Sequence, residues 1–122
     1  MPTLMKFDHL NLPVSKLERS RDWYVDALGL KVEFEVPNTR TVALNDSEGF
    51  AIFLQEKAGA AANGIALWFQ VDDVDAAYAD WKARGVAFAH EPRKNFWGYC
   101  PELADPDGYL VRLWAERSMK EK

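Results

Sequence analysis

Among the 122 residues there is a single cysteine, Cys100. One thiol excludes an intramolecular disulfide framework and fits a reducing compartment. Positive charge is not in excess either. The formal net charge is −4, which weighs against a nucleic-acid partner, because phosphate binding needs a basic surface. No apolar run approaches the ~20 residues of a membrane span. Met1 to Phe7 lacks the apolar stretch of a secretory signal. The expectation is a cytoplasmic protein with neither a nucleic-acid nor a membrane partner. Low-complexity segments are missing too. What is left is 48% hydrophobic and 28% charged, an ordinary composition for one domain spanning residues 1–122.

The strongest signal present is an internal repeat. Met5 to Pro13 reads as a strand. Ser15 with Glu18 then resembles a capping box. It opens a helix whose stripe is Leu17, Trp23, Tyr24 and Leu28 and which ends at Gly29. Strands follow at Leu30–Val36, Arg40–Leu44 and, after the turn Asn45–Gly49, at Phe50–Gln55. Ala58 to Gly64 is small and glycine-containing, as a linker would be.

The order then starts again. Ile65–Val71 reads as a strand. Asp72 or Asp73 caps a helix with stripe Val74, Ala77, Tyr78 and Trp81, closed by Gly85. Val86–His90 reads as a strand and Pro92–Asn95 as a loop. Phe96–Leu103 reads as a strand interrupted near Pro101. The turn Asp105-Pro106-Asp107-Gly108 leads into a last strand, Tyr109–Trp114. Residues after Ala115 are mostly charged and are expected to fray. The predicted fold is α+β. Two βαβββ modules, about 5–57 and 65–116 with a linker at about 58–64, form a curved mixed sheet around a cleft, helices outside.

Period-two alternation sorts the inner and closing strands into two faces. One carries Leu10, Leu12, Ile52, Leu54, Leu67, Phe69, Val71, Val111 and Leu113, as a face covered by helices should. The other carries Phe7, His9, Asn11, Ala51, Phe53, Gln55, Ala66, Trp68, Gln70, Leu110, Arg112 and Trp114. Aromatic walls with a few polar groups describe a small-molecule pocket. A solvated sheet or a dimer interface would use the same residues differently.

Three stretches carry a family resemblance: Phe7-Asp8-His9-Leu10-Asn11-Leu12-Pro13-Val14, Trp23-Tyr24-Val25-Asp26-Ala27-Leu28-Gly29-Leu30, and Asp105-Pro106-Asp107-Gly108-Tyr109. Together the sequence resembles the vicinal oxygen chelate superfamily, which holds glyoxalase I, extradiol dioxygenases, fosfomycin-resistance enzymes and bleomycin-binding proteins. The resemblance implies the two-module fold and a homodimer. In the metal-dependent members four inward side chains bind a divalent cation. The corresponding positions here are His9, Phe53, Ala66 and Arg112. Phe and Ala have no donor atom, and Arg is an obligate cation. One imidazole does not make a catalytic metal site, which needs about three protein ligands. The expectation is therefore no metal and no cofactor, as in the members that sequester drugs in an aromatic cavity.

The leading reading is a small-molecule-binding protein for an aromatic or amphipathic ligand, anionic where Arg112 is engaged. Its ligand-binding candidates are Phe7, His9, Asn11, Phe53, Gln55, Trp68, Gln70, Tyr99, Arg112 and Trp114, with Trp97 and Tyr99 either at a rim or lid or in an ordinary exposed loop. Against this stands a cofactor-free isomerase or lyase with His9 as base and Arg112 as oxyanion stabiliser. A metal-dependent lyase or dioxygenase completed by unseen ligands is a third reading. His9 has no partner carboxylate identifiable on its face, which favours a structural imidazole hydrogen-bonded inside the sheet or a relic of a metal-binding ancestor. The structural alternative for Arg112 is an ion pair with an acid such as Glu35 or Glu102. Glu33, Glu35 and Arg40 read as solvated strand faces. Asp105, Asp107 and Gly108 read as turn formers.

Overall fold

The computed structural model describes residues 2–60, 64–95 and 98–116. The chain divides into two compact units at residues 61/62. The first contains β1 (His9–Val14), α1 (Leu17–Asp26), β2 (Lys31–Val36), β3 (Thr41–Asn45) and β4 (Ala51–Glu56). The second contains β5 (Ala66–Gln70), α2 (Val74–Ala83), β6 (His90–Asn95), β7 (Gly98–Ala104) and β8 (Leu110–Trp114). The sheet orders are β1-β4-β3-β2 and β5-β8-β7-β6. In each, the first strand pairs in parallel with the last, and the other pairs are antiparallel. The chain is therefore α+β and is built from one βαβββ unit written twice.

Burial follows the alternation. In the first unit Leu12, Val14, Val42, Leu44, Ile52 and Leu54 are at most 2% exposed, and Tyr24 of α1 is fully buried. That helix lies on β3 and β4. Leu103, Val111 and Leu113 are fully buried in the second unit, with Val74 of α2 at 2%. Leu10, Phe69 and Val71, expected on the same faces, are only half-buried. Asp73 caps α2 by accepting from the Ala76 amide at 3.0 Å.

The two closing strands open from the same turn. Asp105 Oδ1 accepts from the amides of Asp107 and Tyr109, both at 2.9 Å. Asp46 Oδ1 accepts from Glu48 and Phe50 at 2.8 and 3.0 Å. Gly49 and Gly108 sit at φ of 94° and 92°, where a β-carbon would strain the backbone.

Several expected boundaries move, each for a physical reason. β1 begins at His9, not Met5, because its parallel partner β4 begins at Ala51, opposite His9. Residues 5–8 pair with no strand among the described residues. The N-cap of α1 falls at Lys16, which makes no side-chain cap. The Leu17 amide is met instead by Glu56 Oε2 at 3.0 Å. Val86–Ala89 is not a strand, whereas Pro92–Asn95, expected as a loop, lies inside β6. β6 is an edge strand with a register shift between His90 and Arg93, and edges and bulges are where a strand accepts proline. β7 runs unbroken through Pro101, which faces that shift. Phe96, Trp97 and part of the linker lie outside the described residues.

Arg40, expected on a solvated face, is exposed and also organises a cluster. Its guanidinium donates to both oxygens of Glu18 at 2.8 Å and to both of Glu56 at 3.1 and 2.9 Å. These bonds tie the start of α1 to the end of β4. Hydrogen bonding from Arg40 holds the Glu18 carboxyl down to about 2, from an ordinary 4.5. Arg40, then the Leu17 amide, lowers Glu56 as well. Both carboxyls thus bind fewer protons folded than unfolded. Their contribution is complete above the ordinary carboxylate range and is lost as pH falls from about 4.5 toward about 2. Acid-unfolding curves of the native protein and Arg40→Gln should therefore differ at neutral pH and converge across this window. A constant gap throughout would show that the cluster is not the acid-sensitive element.

Candidate functional site

The faces turned away from the helices carry the mixed side chains, and each unit builds its own. In the first, the register sets Phe34, Ala43, Phe53 and Asn11 abreast across β2, β3, β4 and β1. Ala43 is small and fully buried. Phe34 meets Phe53 edge-on beside it, with ring centroids 5.5 Å apart. The imidazole of His9 stacks on Phe53 at 3.7 Å and 14°. Asn11 donates to Gln55 at 3.3 Å. A patch of three rings results, edged by two amides.

His9 does have a carboxylate partner. Its Nδ1 lies 2.8 Å from Asp8 Oδ2. The hydrogen bond to His9 lowers the Asp8 carboxyl from its ordinary value. An ionised Asp8 makes Nδ1 the protonated nitrogen and turns Nε2 into the acceptor. Neighbouring residues in a strand point to opposite faces, so the pairing was not visible by alternation. It forms because Asp8 precedes β1 and is free of the pleat. Phe7 also precedes the strand. It is 69% exposed and stacks with Phe50 at 5.8 Å.

The second unit places Trp68, Arg112 and Glu102 abreast across β5, β8 and β7. The Arg112 guanidinium lies over the Trp68 ring, 5.3 Å from its centroid. Arg112 Nε donates to Glu102 Oε2 at 2.8 Å. Of the two acids named as partners, Glu102 is the one used; Glu35 faces Arg21 at 3.6 Å. Gln70 pairs with Trp114 in the next row and is exposed. Ala66 pairs with Leu110 in the row before.

Tyr99 does not join this face. It shares its side of β7 with buried Leu103, and its hydroxyl donates to Asp75 Oδ1 on α2 at 2.7 Å. Counting back by twos from Leu103 would have found this. Phe34 was missed because only the inner and closing strands were sorted into faces; β2 also shifts register between Val32 and Phe34. The extra residue re-aims the strand in a way that alternation cannot anticipate.

The positions corresponding to a metal site hold one donor. The register confirms their equivalence within the repeat: His9 and Ala66 each stand two residues before the partner of Phe53 and Arg112 respectively. His9 is flanked by a phenyl ring and by Asp8. Among the described residues no three His, Cys, Asp or Glu side chains converge. This donor set does not fit a divalent ion. Nor is any helix among the described residues long and apolar enough to cross a membrane.

Comparison with known proteins follows the same lines. The family model described as Glyoxalase/Bleomycin resistance protein/Dioxygenase superfamily matches residues 6–113. YraH of Bacillus subtilis (strain 168) is 28% identical over 125 residues, covering 90% of this chain and 98% of its own. The antibiotic-binding protein TnmS3 of Streptomyces sp. CB03234 superposes with a TM-score of 0.78 at 25% identity. That match covers 94% of this chain and 98% of that one. Protein ATC0852 of Agrobacterium tumefaciens is 30% identical with a TM-score of 0.73, covering 92% and 98%.

Proposed function

Because the chain belongs to the glyoxalase/bleomycin resistance protein/dioxygenase superfamily, we propose that it is a metal-independent small-molecule-binding protein for an aromatic or amphipathic ligand. The observation that carries the reading is the pair of mixed faces. Each sets aromatic rings beside a fixed polar group: Phe53 with Phe34 and His9 in one unit, Trp68 with Arg112 in the other. The ring surface that these neighbours leave uncovered offers stacking to a planar ligand, and amides, imidazole and guanidinium orient it. Phe53, Trp68 and Trp114 are the stacking residues. His9, Asn11, Gln55, Gln70 and Arg112 are the polar anchors. Phe7 lies at the margin, and Tyr99 falls outside this set. The antibiotic-binding activity of TnmS3 supports the same direction. Cytoplasmic location and a homodimer belong to this reading.

The test is capture. Protein purified without added ligand is analysed by native mass spectrometry and titrated calorimetrically with planar aromatic natural products. At least one compound should bind in the micromolar range or tighter, and Trp68→Ala or Phe53→Ala should weaken it about tenfold or more. Elemental analysis should show substoichiometric divalent metal. If no compound binds, or both variants bind normally, the reading is wrong.

One observation favours a second reading, a cofactor-free isomerase or lyase. Asp8 holds Nδ1 of His9 and leaves Nε2 to accept a proton. Aldehyde, hemithioacetal and keto-acid substrates tested in chelator would decide it. Turnover abolished by His9→Ala supports it; rates indifferent to that change exclude it.

A further inference from the structure

We infer that the face around Arg112 recognises a carboxylate, so that the ligand class is a planar aromatic acid. The inference rests on the small-molecule-binding reading and adds to it the charge and shape of the ligand's polar end. Arg112 is held on two sides. The guanidinium carbon lies over the Trp68 ring, 5.3 Å from its centroid. Arg112 Nε is taken by Glu102 at 2.8 Å. An arginine carries five N–H donors, and this contact uses one. The four on Nη1 and Nη2 make no hydrogen bond to any other described residue. The terminal edge of the fork is thus oriented and unfilled.

Two parallel N–H groups at that edge match the two oxygens of a carboxylate. The Arg112 side chain is 26% exposed, so a ligand can reach it while water screens it less than at an open surface. The surroundings suit an aromatic body behind the carboxylate. Trp68 is 38% exposed, Trp114 and Leu110 are half-buried, and Ala66 leaves room beside them. Glu102 is a positioning residue in this arrangement. It binds the inner nitrogen and turns the outer pair toward the ligand, so the ion pair orients the cation without filling it.

An isosteric pair of probes, 2-naphthoate and 2-naphthamide, separates ring stacking from carboxylate recognition. Isothermal titration of each against the full chain should show the acid binding about tenfold or more tightly, as a charge-assisted pair of hydrogen bonds implies. Arg112→Met should remove that preference, bringing the acid to the affinity of the amide measured on the same variant. Arg112→Lys, which keeps the charge without the fork, should restore only part of it. It also serves as the second variant if the first fails to fold by circular dichroism. Glu102→Gln, which keeps an oxygen for Nε, should preserve the preference. Equal affinity for acid and amide, or a preference that survives Arg112→Met, overturns this inference and leaves small-molecule binding standing. Binding of neither probe overturns the aromatic-acid inference, and small-molecule binding then stands or falls on the wider titration with natural products.

Discussion

Asp105→Ala is expected to lower the melting temperature by about 10 °C, the largest loss from any single polar group described here. The side chain is 5% exposed, and one oxygen serves two amides, Asp107 and Tyr109. Alanine takes this acceptor from both donors, and the second belongs to a residue only 1% exposed. A hydrogen bond to a charged group is worth about 1.5–3 kcal/mol, and an orphaned buried donor costs a similar amount. The two effects overlap, so a total of about 3 kcal/mol is expected, which for a chain of this size gives the stated shift. Asp105→Asn keeps Oδ1 as acceptor and should recover most of it. Asp46 makes the same two bonds in the first unit, but there the second donor is Phe50, 39% exposed. Water can replace the lost acceptor, so Asp46→Ala should cost only about 1 kcal/mol. Thermal melts of the three variants check this. Equal losses at Asp46 and Asp105 would show that burial does not set the cost.

That turn was legible from composition because its chemistry is local: Asp, Pro and Gly act within four residues. The repeat was legible for the same reason, through helix ends and turns. Alternation within β1, β4, β5 and β8 also held, because a regular strand needs only counting. Legibility stopped where tertiary geometry overrides the count. The bulges of β2 and β6 shift parity by one residue, so counting along those strands does not place Phe34 beside its aromatic partners. Pro92 reads as a loop because a proline is tolerated in a strand only at such an edge. The Arg40 cluster draws on residues 22 and 16 positions away, a separation at which charge patterning says nothing. Asp8 and His9 are adjacent, yet the rule that neighbours diverge applies only inside a strand. The partners of Arg112 fall between these cases. Glu102 was one of two acids proposed, and only the β7–β8 register chooses it.

The assignment of faces on β8 can be tested by deleting the same atoms twice on one strand. Leu110 and Leu113 are three residues apart and so lie on opposite sides of the sheet. Leu113 is fully buried, opposite Phe69 of β5. Leu110 is half-buried beside Ala66, on the face that carries Arg112. Leu113→Ala removes buried methyl groups and leaves a cavity that a close-packed core fills only in part, so about 2–5 kcal/mol should be lost. Leu110→Ala removes the same groups from a surface already in contact with water, and should cost about 1 kcal/mol or less. Urea unfolding gives both values from the midpoint and slope. The ligand readout should run the other way. Leu113→Ala, where still folded, leaves 2-naphthoate affinity unchanged, and Leu110→Ala alters it. If the two stability losses were reversed, β8 would be set one residue out of register. Arg112 would then face the helix side, and the carboxylate site would have no opening to the ligand.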